Sequence, residues 1–441
     1  MKNIKLSKVW DSLHSSYWFV PTLIAIASVG LAVTMLGIDR AGHYGPIKEW
    51  GWIYSGGPDG ARALLSTVAG SIVTVTGTAF SITIVALQLA ASSFGPRLLR
   101  NFMQDTGNQV VLGTFISTFV YSLLVLRTIH GEDYDIFVPQ LSVTVGMILA
   151  FISIGVLIYF IHHASTIIQA SHVIKSVSDE LNRAIDRLFP EKIGRGVKEQ
   201  HLFAEIPANV AEEACPIKSA GNGYLQGIDN DELMKIAYQH NLILRIVTRP
   251  GKFVVKGSNL VMVFPGERVN HKLTKEINDA FILDKERTEQ QDVEFPIAQL
   301  VEIALRAISP GINDPFTAIR CIDRLSAGLS RFAQRDIPSP YRYDKNNNLR
   351  MIAEPVTFAG LTDAAFNQIR QYSIKDVAVT IRLLEAITCI ATFTHNAKQR
   401  EALRRHADMI LQGSCEKITS KQDQKDVQER YDLAVKTLIQ H

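Results

Sequence analysis

The chain has 441 residues, in which 46 Lys and Arg stand against 43 Asp and Glu for a formal charge of +3. That length accommodates two or three domains. The near-neutral balance, with no basic stripe interleaved with aromatics, excludes a dedicated nucleic-acid binder. Cys215, Cys321, Cys389 and Cys415 are isolated from one another, which excludes a paired-cysteine metal knuckle and a disulfide framework and fits reduced thiols in a cytoplasmic domain.

In chain order, Lys2, Lys5 and Lys8 precede a first membrane span over residues 19–37, an apolar stretch too long for the core of a cleavable signal peptide. A loop with Trp50, Trp52 and Tyr54 follows, and these residues suit a membrane–water boundary. The second span, residues 64–91, carries no charge, yet Thr67, Ser71, Thr74, Thr78 and Ser81 recur at steps of four and three, and the row resumes at Gln88. That spacing puts them on one helix face, opposite the apolar row Val68, Ile72, Val75, Ala79, Ile82, Ala86 and Leu89. Hydroxyls so placed either pack against a neighbouring helix, helped here by Gly70 and Gly77, or line an aqueous path; spacing alone does not separate the two.

Pro96 ends or kinks this helix, and Arg97 and Arg100 lie just beyond. Third and fourth spans are predicted over 110–129 and 138–161, joined by an acidic loop containing Glu132, Asp133 and Asp135. The distribution of Lys and Arg places both termini in the cytoplasm. His162, His163 and His172 invite a metal or proton-relay reading, but no carboxylate stands at ligand spacing on the same helix, and a headgroup-level position is the simpler account.

The expected domains are a membrane domain over 1–165, a helical connector over 166–200, a small α+β module over 201–268 and a helical domain over 269–441. The turns of PGKFVVKGSNLVMV look like the hammerhead strands of a lipoyl-type barrel-sandwich hybrid, although Lys252 and Lys256 do not occupy the carrier hairpin. The strand–helix–strand–strand order is also similar to regulatory modules attached to potassium-transport proteins. Beyond it, helices are predicted over 270–283, 296–308, 315–335, 363–372, 375–412 and 423–440, with an exposed loop over 336–348. In ISPGINDPFTA, Pro310-Gly311 stops one helix and Asp314 caps the next; the other reading gives Arg306, Asn313 and Asp314 an anion or a neighbouring subunit.

The stretches TVAGSIVTVTGTAFSITIVALQLAASSFGPRLLRNF, GNQVVLGTF and ISPGINDPFTA together resemble a bacterial family of predicted inner-membrane proteins known as domain of unknown function 2254. The resemblance spans nearly the whole chain. It implies a multi-pass membrane protein with a cytoplasmic C-terminal region, and it implies no reaction, ligand or partner.

The sequence-level expectation is therefore an α-helical four-span membrane domain followed by a mainly helical α+β cytoplasmic domain. No nucleophile elbow, phosphate-binding loop, zinc-protease helix or paired-carboxylate motif appears, so neither an enzyme nor a metal or other cofactor is expected. The functional expectation is a homo-oligomeric channel for an inorganic ion in the lipid bilayer, with Thr67, Ser71, Thr74, Thr78, Ser81 and Gln88 along the path and Arg97 and Arg100 at its cytoplasmic mouth. The alternative is a membrane-anchored sensor or scaffold whose cytoplasmic domain binds a ligand or protein.

Overall fold

The computed structural model describes residues 16–42, 52–95, 105–130, 137–167, 169–189 and 213–440. Lys2, Lys5, Lys8, Trp50, Pro96, Arg97, Arg100, Glu132, Asp133, Asp135 and the stretch 190–212 lie outside them. The chain divides into two compact units, Met1–His172 and Val173–His441.

In the first unit, four helices are long and apolar enough to cross a membrane: α1 (Phe19–Ala41), α2 (Pro58–Phe94), α3 (Thr106–Leu126) and α4 (Gln140–Ile167). All four predicted spans are present, α2 longer than expected at 37 residues. At about 1.5 Å per residue it reaches roughly 55 Å, well beyond the hydrocarbon core.

The most buried of the four is α3, and its inward face sets Gly113, Ser117, Thr118 and Ser122 among the larger Val111, Phe115, Tyr121 and Val125. Thr118 Oγ1 lies 3.0 Å from Ser153 Oγ of α4, and the Tyr121 hydroxyl donates to the Ser142 carbonyl at 3.0 Å. Gly113 lets α1 approach so closely that a Cβ there would come within 2.6 Å of Ile24 Cδ1 and 3.2 Å of the Pro21 Cα. Gly146 of α4 does the same for Leu65 of α2. Small residues and hydroxyls are what bring helices together in lipid, where apolar burial alone favours no particular face.

One cap crosses between helices. Asp39, buried in the last turn of α1, accepts from the backbone N–H of Leu141 at 3.1 Å and of Ser142 at 2.9 Å, in the first turn of α4. These are two of the N–H groups that a helix start leaves without partners.

The second unit opens with α5 (Ala170–Leu188), whose apolar face, including Val177, Leu181 and Ile185, is buried. The predicted helix running on from the fourth span is interrupted, α4 ending at Ile167 and α5 starting at Ala170. Nor does α5 merely connect: Asp186 takes Arg331 at 2.8 Å and Arg335 at 2.5 Å, and Gly328 makes room for Leu181.

Next come β1 (Cys215–Lys218), β2 (Gly223–Ile228), α6 (Asn230–Gln239), β3 (Ile243–Ile246), β4 (Phe253–Val254), β5 (Asn259–Phe264), α7 (His271–Asp279) and β6 (Phe281–Asp284). The predicted helix over 270–283 is thus a helix and a strand. Helices α8 (Glu294–Ala307) and α9 (Pro315–Ala333) lead to the hairpin β7 (Tyr341–Tyr343) and β8 (Leu349–Ile352), which lies in the loop expected over 336–348 and just after it.

The strands form a five-stranded sheet, β1-β5-β3-β8-β7, and a three-stranded sheet, β4-β2-β6. This is no barrel-sandwich hybrid: α6 and α7 interrupt the strands, and β8 pairs in parallel with β3, Leu244 opposite Met351. The α+β module therefore extends past residue 268. Ile217, Leu225, Leu233, Leu244, Val261 and Met351 share its apolar core.

The chain closes with α10 (Phe358–Tyr372), α11 (Val377–Ala391), α12 (Ala397–Lys417) and α13 (Lys421–Gln440). The single helix predicted over 375–412 is broken before Asn396, whose side chain caps α12 by accepting from Gln399 N at 2.9 Å. His406 of α12 is fully buried, 2.8 Å from Asp363 and against the Phe366 ring, and burial holds its pKa below the ordinary value of 6.5.

Two outcomes follow for stability. Replacing Asp39 by Ala exposes two backbone donors to an apolar surround and costs about 2 kcal/mol, a value in the range of a lost cap and a buried unsatisfied donor. Thermal unfolding of the detergent-solubilised chain then shows a lowered Tm, with Asp39→Asn intermediate; an unchanged Tm for Asp39→Ala refutes the cap. For His406 the depressed folded pKa means the unfolded chain takes up the proton first, so stability is complete above pH 6.5 and falls as the pH drops below it. The His406→Gln variant has a lower Tm at pH 8 but a smaller decline between pH 7 and 5; an equal decline in both proteins removes His406 as the cause.

Candidate functional site: the outward face of the second membrane helix

The neighbours of α2 cover part of its apolar row, leaving Ile82 and Leu89 exposed. Ile72, Ala79 and Ala86 are buried, and Ile72 and Ala79 share a core with Val111 and Phe115 of α3 and Phe160 of α4. Thr67, Ser71, Thr74, Thr78, Ser81 and Gln88 are all exposed on the opposite side. The reading in which this row packs against a neighbouring helix is therefore not met within one chain: the hydroxyls that bond across helices here are those of α3 and Ser153 of α4.

Local chemistry explains how such a face persists. Thr67 donates to the Ala63 carbonyl at 2.7 Å, Thr74 to Gly70 at 3.1 Å, Thr78 to Thr74 at 3.0 Å and Ser81 to Gly77 at 2.9 Å. Each hydroxyl proton is satisfied along the helix, and the oxygen keeps acceptor capacity toward the outside. At these four positions the face presents oxygens rather than donors.

The glycines between them have no role inside one copy. A Cβ built on Gly70 or Gly77 meets nothing within 4 Å, in contrast with Gly113 and Gly146. Glycine within a helix costs roughly 0.5–1 kcal/mol relative to alanine, so two that relieve no contact leave a cost that the single copy does not offset.

The other candidates are accounted for locally. Both Asp314 oxygens are engaged within the chain, Oδ1 accepting from Thr317 N at 3.1 Å and Oδ2 from the Thr317 hydroxyl at 2.6 Å; the Thr317 hydroxyl is the main cause holding this carboxyl below its ordinary pKa. Asn313 has a φ of 52°, and its N–H donates to Ser309 O at 2.9 Å, closing the turn between α8 and α9. Arg306 Nε is 3.7 Å from Glu302 one turn earlier. The motif builds a helix-to-helix corner, at whose tip Ile312 and Phe316 are exposed.

Sequence spacing also missed a pair made by folding. His163 of α4 has its carboxylate after all, Asp105, whose Oδ2 is 2.7 Å from Nε2. Asp105 also caps α3 by accepting from Asn108 N at 2.9 Å, and the Tyr159 ring stacks on the imidazole at 5.2 Å. The partner comes from another helix, so no motif on α4 announces it. Among the described residues, no three His, Cys, Asp or Glu side chains converge on a metal position.

A family of predicted membrane proteins, DUF2254, matches residues 14–388. Two uncharacterized mycobacterial proteins, Mb1321c of Mycobacterium bovis and Rv1290c of Mycobacterium tuberculosis, are each 31% identical over 429 residues, covering 94% of this chain and 79% of their own length. No solved structure matches. The match runs through the four spans and through most of the second unit, and the chain belongs to the DUF2254 family of predicted membrane proteins.

Proposed function

We propose that this protein is a channel-like homo-oligomer of the bacterial inner membrane, with both termini cytoplasmic and no catalytic step of its own. Copies meet through the outward face of α2, whose hydroxyl oxygens line a water-filled path for an inorganic ion. The observation that carries this reading is the orientation of the row: Thr67, Ser71, Thr74, Thr78 and Ser81 point away from all three partner helices. Facing lipid, the hydroxyls gain nothing and the two glycines cost helix stability. Facing α2 of other copies, Gly70 and Gly77 allow close approach, and the oxygens replace part of an ion's hydration.

Four helices with this face outward enclose no path by themselves, so the reading requires several copies around an axis. The reading assigns Arg97 and Arg100, outside the described residues, to the cytoplasmic mouth, where their charge favours anions. The absence of a charged side chain from this face is in keeping with passive conduction rather than proton-coupled transport. The C-terminal unit holds the oligomer together or gates it.

The test is ion flux from liposomes, with chloride and potassium gradients applied separately. Thr78 is exposed in one copy, so Thr78→Leu is expected to change single-copy stability by less than about 0.5 kcal/mol. Flux through the parent is lost in this variant, while Ser71→Cys, introduced into either background, still cross-links between copies. Failure of folded, cross-linkable protein to pass either ion refutes the channel. Absence of the Ser71→Cys cross-link in membranes refutes the interface.

A further inference from the structure

The second unit contains an open cleft of about 1290 Å³ lined by the end of α5, strands β3, β5 and β7, the turn from β3 into β4, the start of α8 and the segment before α10. Its size exceeds the roughly 300–1,000 Å³ usual for a small-molecule site. Its wall carries five cations: Arg187, Arg245, Arg249, Lys252 and Arg342.

Two carboxylates pair with these cations. Glu294, in the first turn of α8, takes both Arg249 and Lys252, the latter at 3.2 Å. Glu354, itself largely exposed, lies 3.8 Å from Arg245. Arg187 donates to the Glu289 carbonyl and Arg342 to the Ser339 carbonyl, contacts that orient a guanidinium without neutralising it. The positive charge in the cleft is in surplus and its side chains are already positioned.

The turn carrying Arg249 and Lys252 is fixed. Gly251 has a φ of 89°, its N–H donates to Leu225 O, and its Cα lies so close to the buried Asp292 that a Cβ would overlap the carboxylate. Asp292 is held in turn by Arg287 at 2.6 Å and by the Glu294 N–H at 3.0 Å. Beside the cations stands an aromatic: Phe253 is 57% exposed, its ring held edge-on to Tyr224 at 5.1 Å. Guanidinium groups take phosphate oxygens in pairs, and an exposed ring edged by cations stacks a planar base.

We propose that this cleft binds a nucleotide, its phosphates held by Arg245, Arg249, Lys252 and Arg342 and its base stacked on Phe253. The assignment stands independently of the channel reading. A bare inorganic anion would leave the aromatic wall and most of the volume unused.

The full-length protein in neutral detergent is titrated calorimetrically with ATP, GTP, CTP, UTP and NAD, and with tripolyphosphate as a base-free comparator. At least one nucleotide is expected to bind more tightly than tripolyphosphate. Arg245→Ala and Arg342→Ala each weaken it by about tenfold, the scale of one charge-assisted contact, while the charge-conserving Arg245→Lys weakens it less. Phe253→Ala weakens the nucleotide and leaves tripolyphosphate unchanged. Thermal unfolding of each variant establishes that it is folded, and all comparisons are made among folded variants.

No binding by any nucleotide at about 1 mM overturns the proposal, since that is the weakest affinity of practical specificity. So does binding that the arginine substitutions leave intact. Equal affinity for tripolyphosphate and nucleotide, insensitive to Phe253, overturns the base contact. In nanodiscs, displacement of the nucleotide by phosphatidylglycerol through the same arginines assigns the site to a lipid phosphate and overturns it as well.

Discussion

In a bilayer an apolar side chain is equally at home against lipid and against protein, so hydrophobicity alone does not say which face of a span turns inward. The arrangement of the membrane unit depends instead on the small and hydroxyl side chains of α3. Gly113 admits α1, Thr118 meets Ser153 of α4, and Tyr121 reaches the Ser142 carbonyl. Asp39 then ties the end of α1 to the start of α4. With those contacts made, α2 turns Ile72, Ala79 and Ala86 inward together with a single hydroxyl, Thr83.

That solution leaves two polar faces with different fates. The face on α3 is consumed within the chain, and the face on α2 bonds four of its hydroxyls back along its own helix yet carries glycines that no neighbour within the chain requires. The same logic of surplus recurs in the second unit, where five cations line an open cleft and three of them share two carboxylates. Both are places where the fold holds a chemical feature that its own stability does not use.

Much of this was legible in the sequence. Four long apolar runs give four spans because length and lack of charge suffice for that inference. The α2 periodicity placed its hydroxyls on one face, and Asp314 caps α9 as its spacing before Pro315 and Thr317 implies. Partners were not legible. Asp39 and Asp105 meet partners on α4 remote in sequence, and the α3 row of Thr114, Thr118 and Ser122, though spaced at four residues, is shorter than the one that drew attention to α2. The helix predicted over 270–283 ended early because Phe281 pairs with Ile228, a contact no local pattern records. The hammerhead likeness failed for a similar reason, since β8 enters the sheet from a distant segment.

That late strand has a consequence for how the molecule is made. Synthesis delivers the four spans first, then β3, and only after α7, α8 and α9 the β8 strand whose Ile352 stands beside Arg245. Until the ribosome has passed that point, β3 keeps one open edge, and loop closure over such a distance is slow. The membrane unit can settle in lipid during that interval, while the cleft-bearing sheet waits with unpaired backbone groups, exposed to chaperones and to neighbouring nascent chains. Membrane insertion and completion of the sheet are thus separated in time by the order of the gene.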